Sequence, residues 1–117
     1  LTANPIKGTE DVAVASPVAV TSVSSLVLPG SLDVYLYYMN LDRRLTRVVG
    51  KLRGSSIKWH ESNVVDGAPL LLDSTLMAAT TTGLYNYVYY IPEGKAEFEP
   101  YKEIATPLKS RNTEEEG

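Results

Sequence analysis

Along most of the chain apolar residues alternate with polar ones or gather in short β-branched and aromatic runs, and no sustained helical period emerges. The pattern predicts strands near residues 12–15, 18–28, 33–39, 45–51 and 57–60, and a second set near 75–80, 85–91 and 97–102. Between them, Pro29-Gly30-Ser31 and Thr82-Gly83 supply turn geometry, and Asn40-Leu41-Asp42 sits where a tight hairpin would turn. Consecutive strands are therefore expected to be antiparallel neighbours. Within 33–39, Val34, Leu36 and Tyr38 share one face while Tyr35, Tyr37 and Met39 share the other. Both faces are apolar or aromatic, so this sheet is expected to be covered on both sides.

The strands recur as an internal repeat. Ser25-Leu26-Val27-Leu28, a turn and Val34-Tyr35-Leu36-Tyr37-Tyr38 match Thr75-Leu76-Met77-Ala78, a turn and Asn86-Tyr87-Val88-Tyr89-Tyr90, at a spacing of 50 to 52 residues. Each Tyr-Tyr pair leads into a polar turn and a further strand, Leu45 in the first copy matching Phe98 in the second. A period of this length with several short strands per unit is that of propeller blades. The expected architecture is all-β, about two four-stranded blades of a β-propeller completed by another chain or by identical copies, because repeats of this kind need at least about three units to cover their faces; the alternative is an ordinary β-sandwich in which the repeat is accidental. The expected organisation is an N-terminal segment contributing a strand (1–22), two blade-like repeats (23–65 and 66–108) and a solvated acidic tail (109–117).

The run Val34-Tyr35-Leu36-Tyr37-Tyr38, the turn Asn40 to Asp42, the strand Leu45 to Val49 and Trp59 together resemble the fungal fucose-specific lectin family. The likeness covers roughly residues 23–103, with 73–101 similar to a second blade lacking its final Trp. It implies a ligand held between blades by an Arg before the Tyr-Tyr strand, a Glu on the next strand and a Trp. Here the Arg position falls on Tyr35 and Tyr87, and the Glu position on Arg47 and about Pro100. Only Trp59 matches, so the likeness implies the scaffold without an intact fucose site. The ligand-binding candidates are Tyr35, Arg47, Trp59 and Tyr87.

Composition narrows the chemistry. A net charge of −3 argues against general nucleic-acid binding, which needs clustered positive charge. The chain has no cysteine, so thiolate chemistry and disulfides are excluded within it. No apolar run approaches the ~20 residues that cross a bilayer as a helix. A first residue of Leu1 suggests a processed mature chain, a proteolytic fragment or a trimmed piece, and a secretory compartment is expected.

Eight tyrosines against one Phe are unusual, and Tyr35, Tyr85, Tyr87 and Tyr101 could line a cleft, whereas Tyr37, Tyr38, Tyr89 and Tyr90 read as packing residues. Arg43, Arg44, Arg47, Lys51, Arg53 and Lys58 form a basic stretch in which Arg47, Lys51 and Arg53 share a strand face, an anion-binding stripe or a solvated edge. Trp59 beside His60 could be a stacking platform next to a titratable group. No metal site or cofactor is expected, because a single histidine without cysteine is a poor basis for a transition-metal site and neither a carboxylate-rich metal motif nor a cofactor fingerprint is present.

The expected function is a lectin-like module binding a sugar or other small hydroxylated ligand between blades. The alternative is a cofactor-independent biosynthetic enzyme on the same scaffold, such as a pericyclase catalysing an intermolecular hetero-Diels–Alder reaction on an apolar natural-product intermediate. Tyr35, Arg47, Tyr87 or His60 would then hydrogen-bond developing charge.

Overall fold

The alternating pattern builds seven strands: β1 (Val18–Ser24), β2 (Ser31–Met39), β3 (Leu45–Arg53), β4 (Ser56–Val64), β5 (Met77–Thr81), β6 (Tyr85–Tyr90) and β7 (Glu99–Ile104). They come from a computed structural model that describes residues 16–24 and 29–105. The strand expected at 12–15, the segment 25–28 and the acidic tail lie outside the described residues. The strands form two antiparallel sheets, ordered β1-β2-β3-β4 and β5-β6-β7. The protein is all-β, with no helix among the described residues.

The strand registers carry the repeat into three dimensions. Tyr38 pairs with Thr46 and Tyr90 with Glu99, so Leu45 and Phe98 hold matching places. The first strand of each copy is matched differently from the sequence alignment. Tyr38 pairs with Val18 and Tyr90 with Met77, which makes 18–22, rather than 25–28, the counterpart of 77–81. The connection from β1 to β2 is longer than that from β5 to β6, and this difference offsets the spacing.

The two sheets pack face to face. From the first sheet Tyr35, Tyr37, Met39, Leu45 and Val49 point into the gap, and from the second Val88 and Tyr90, flanked by Met77, Ala79 and Tyr101. The opposite face of β2 and β3 is covered as well, with Val34, Tyr38, Thr46 and Val48 all buried, as the doubly apolar pattern predicts. Leu71, in the connection between β4 and β5, plugs one end of the gap and is fully buried. Its N–H donates to the Arg43 carbonyl at 2.8 Å, while the Leu72 N–H donates to Ile91 and the Glu93 N–H to Leu70, each at 2.8 Å. The connection is thereby tied to both sheets.

The β2–β3 hairpin turns through three residues rather than two. The Arg43 N–H donates to the Asn40 carbonyl, and Arg43 adopts a left-handed φ of 61°, the conformation that closes a three-residue loop of this kind. The Asn40 side-chain oxygen accepts the N–H groups of Asp42 at 2.9 Å and Arg44 at 3.0 Å, which fixes the bend.

Tyr90 and Tyr37 give the core an alkaline limit. Burial, with smaller contributions from Tyr101 and Glu99, pushes the Tyr90 hydroxyl up to about 12 from its ordinary 10.0. Tyr37 is raised still further, by burial first and then by the charge of Glu103. A folded-state value above the unfolded one leaves this stabilisation complete below pH 10 and removes it as pH rises through 12. The urea midpoint is expected to show no tyrosine-linked change below that window and to fall across it, with the Tyr90→Phe variant losing part of the decline.

Candidate functional site

Tyr35 and Arg47 lie on the same face of the first sheet and both point toward the second. Neither is left open to a ligand. The Tyr35 hydroxyl donates to the Ala105 carbonyl, and the Arg47 guanidinium is ion-paired with Glu103 of β7. The other Glu103 oxygen accepts the Tyr37 hydroxyl at 2.6 Å, and that hydroxyl accepts from the Asn86 side-chain amide at 2.9 Å. The resulting chain, Asn86 to Tyr37 to Glu103 with Arg47 closing it, spans the gap between the sheets. Each donor is polarised by the next acceptor, and the carboxylate fixes the direction of the Tyr37 proton. Asn86 is fully buried, and its Oδ1 is the one buried side-chain polar atom among the described residues without a hydrogen-bond partner.

Trp59 stands elsewhere, on the far face of the first sheet. It pairs across strands with Gly50, which has no side chain to obstruct it. A Cβ added at Gly50 would sit 2.7 Å from Trp59 Cε3, so the indole rests directly over the glycine, with Ile57 beside it. The ring is partly exposed, and Leu32 and Ile57, in the adjacent cross-strand row with Leu52, are 36% and 38% exposed. Ser62 pairs with Val48 one row further along the same face. The result is an apolar platform with a hydroxyl at its margin.

The register between β3 and β4 shifts between Val48 and Gly50, so His60 and Glu61 together stand opposite Val49. Successive strand residues point to opposite faces, so His60 faces away from Trp59, and the bulge returns Ser62 to the Trp59 face. The platform and the titratable group expected beside it are thus on different sides of the sheet. His60 is exposed.

Tyr87 lies on a third surface, the outer face of the second sheet, with Tyr85 and Tyr89 along the same strand. Lys102 stands over the Tyr85 ring at 4.2 Å from its centre. The tyrosines proposed to line one cleft are accordingly divided: Tyr35 and Tyr101 face the gap, Tyr85 and Tyr87 face outward. Tyr37, Tyr38 and Tyr90 are packing residues, whereas Tyr89 is 37% exposed. The four groups considered for catalysis do not converge.

Half of the basic stretch is ion-paired. Arg47 pairs with Glu103, Lys51 with Asp33 at 3.0 Å across the β2–β3 ladder, and Arg43 with Glu93 at 2.9 Å. It therefore serves the ladder and the junction between sheets rather than presenting a row of open cations. Sequence reading passed over Glu103, Asn86 and Gly50. The parity of Glu99, Tyr101 and Glu103 was the available signal, since it puts an acid on the same face as a core tyrosine.

The fold and surfaces define an all-β segment of two face-packed sheets with a closed polar junction and a partly exposed tryptophan platform. Against known proteins, the chain is similar to a protein named Wall-associated proteinase from Coccidioides immitis (strain RS), with 39% identity over 102 residues, covering 86% of this chain and 33% of that protein. A protein of the same name from Coccidioides posadasii (strain RMSCC 757 / Silveira) is 37% identical over 101 residues, covering 86% and 32%. The chain spans about a third of the length of these curated relatives. No protein-family model matches it. No solved structure matches it significantly.

Proposed function

We propose that this chain is a lectin-like β-propeller segment of a wall-associated, secreted protein, and that it binds a sugar or another small hydroxylated ligand against Trp59. The observation that carries this reading is the partly exposed indole seated on Gly50, with Ile57 and Leu52 extending its apolar surface and Ser62 at the margin. A pyranose presents a C–H face and a rim of hydroxyls, which matches a flat aromatic surface with few polar groups around it. The tryptophan is also the one position at which the chain keeps the fucose-lectin pattern. The Tyr35 and Arg47 positions are occupied by the junction between the sheets, which accounts for a ligand site away from them.

The relatives support the setting. Their name associates them with a wall, and two repeats within a third of their length leave room for about six in the whole polypeptide, a number that closes a propeller. The chain's single histidine is exposed on a bulge, and no group of three or more His, Cys, Asp or Glu side chains that could hold a metal ion is present among the described residues. Among the described residues no helix is long and apolar enough to cross a membrane.

A broad glycan array that includes soluble fungal-wall oligosaccharides tests this reading. Saturable binding is expected, and Trp59→Ala should weaken it by about tenfold, the equivalent of one lost aromatic contact. An array without a hit, or affinity unchanged in Trp59→Ala, counts against it.

A further inference from the structure

The outer face of the second sheet lacks a cover along its whole central strand, whereas the far face of the first sheet is buried at its centre and open only on its flanks, at Val18, Val20, Leu32, Ile57, Trp59 and Val64. Tyr85, Tyr87 and Tyr89 run along it on β6, with Ile104 and Lys102 on β7, and Tyr89 and Ile104 are 37% and 53% exposed. The repeat identifies this face. Tyr87 and Tyr89 stand 52 residues after Tyr35 and Tyr37, in matching places on β6 and β2. In the first copy those two tyrosines are buried, and their hydroxyls cross to the next sheet, Tyr35 to Ala105 and Tyr37 to Glu103 and Asn86.

We infer that the outer face of the second sheet is the docking surface for a third repeat of the same longer polypeptide, whose sheet supplies an acceptor for the Tyr89 hydroxyl and a backbone carbonyl for that of Tyr87. The inference rests on the propeller reading and extends it to a particular face and partner. Two observations select a further repeat over a second copy of this chain. Stacked head to tail, a second copy would offer the far face of its first sheet. There Val34 and Gly50 occupy the paired places that Asn86 and Glu103 hold in the second sheet. Neither side chain can accept a tyrosine hydroxyl, and Val34, Tyr38, Thr46 and Val48 on that face are already buried. The relatives, meanwhile, have about twice this chain's length to spare.

The partner's chemistry differs from that of the first junction in one respect. Arg47, which faces Tyr37 across the ladder, is matched by Pro100 opposite Tyr89. The incoming repeat therefore meets no guanidinium at this point, and the cation it meets is Lys102, two cross-strand pairs away opposite Tyr87. A largely apolar face with one acceptor near its centre suffices.

Tyrosine nitration of the polypeptide at the relatives' full length, mapped by mass spectrometry, tests the inference. Tyr87 and Tyr89 are expected to react as slowly as Tyr35 and Tyr37, at least about tenfold below an exposed tyrosine. A photo-crosslinker replacing Tyr85 should join to a residue beyond this chain in the same molecule. Nitration of Tyr89 at the exposed rate overturns the inference. So does a crosslink to another molecule, which assigns the face to a second copy, or protection that arises only when wall glycan is added, which assigns it to the ligand. Glycan binding at Trp59 is measured separately, so failure of either reading is distinguishable from failure of the other.

Discussion

Glu103→Ala is expected to destabilise the protein by about 3–5 kcal/mol, the range for breaking a largely buried ion pair by removing one partner. The cost has two sources. Arg47, with a side chain 20% exposed, loses its counterion, and the fully buried Tyr37 hydroxyl loses the acceptor toward which Asn86 orients it. Glu103→Gln should cost less, because an amide oxygen still accepts from Tyr37. In a double-mutant cycle, Arg47→Ala combined with Glu103→Ala should cost less than the two single changes together, since removing both charges leaves neither one stranded. Urea unfolding measures all four variants. A loss below about 1 kcal/mol for Glu103→Ala would mean that the pair behaves as an exposed one and does not hold the sheets together.

Tyr90→Ala should be comparably damaging, at about 3–5 kcal/mol, for a different reason. Its ring lies at 1% exposure in the core cluster between the sheets, where Met77 and Glu99 flank it across strands. Its hydroxyl donates to the Pro69 carbonyl at 2.7 Å and so ties the connection that carries Leu71 to the second sheet. Tyr90→Phe keeps the ring and removes only that bond, so about 1 kcal/mol is expected. The gap between the two variants measures packing separately from hydrogen bonding. Equal losses in Phe and Ala would show that the tie to Pro69, rather than the ring, secures this end of the core.

Much of this arrangement is legible in the residues themselves. Period-two alternation in 33–39 gives both faces of β2, and the Tyr-Tyr runs announce the repeat, because these signals are local. Spacing alone misaligns the first strand of each copy, because connections of unequal length change the spacing without changing the pairing. The junction was harder to foresee. Arg47 stands 56 residues from Glu103, and nothing local in either strand states which face of a second sheet will meet the first. Likewise, Gly50 becomes informative only once β4 is paired against it, and the bulge at His60 and Glu61 moves that pairing out of simple alternation. The aromatic residues named from sequence are therefore on three surfaces, each with a separate role: Tyr35 in the junction, Trp59 on the platform, Tyr87 on the open face.

Trp59 is the chain's only tryptophan, so its own fluorescence reports whether a hydroxylated ligand stacks on it, as proposed. Titration of the folded protein with a wall oligosaccharide is the direct measurement. A saturable change in tryptophan emission is predicted, matched by a calorimetric isotherm that weakens by about tenfold in Trp59→Ala. Gly50→Ala, which must push the indole off its seat, should weaken binding in the same direction. Calorimetric binding with no change in Trp59 emission, and with the same affinity in Trp59→Ala, would contradict the claim.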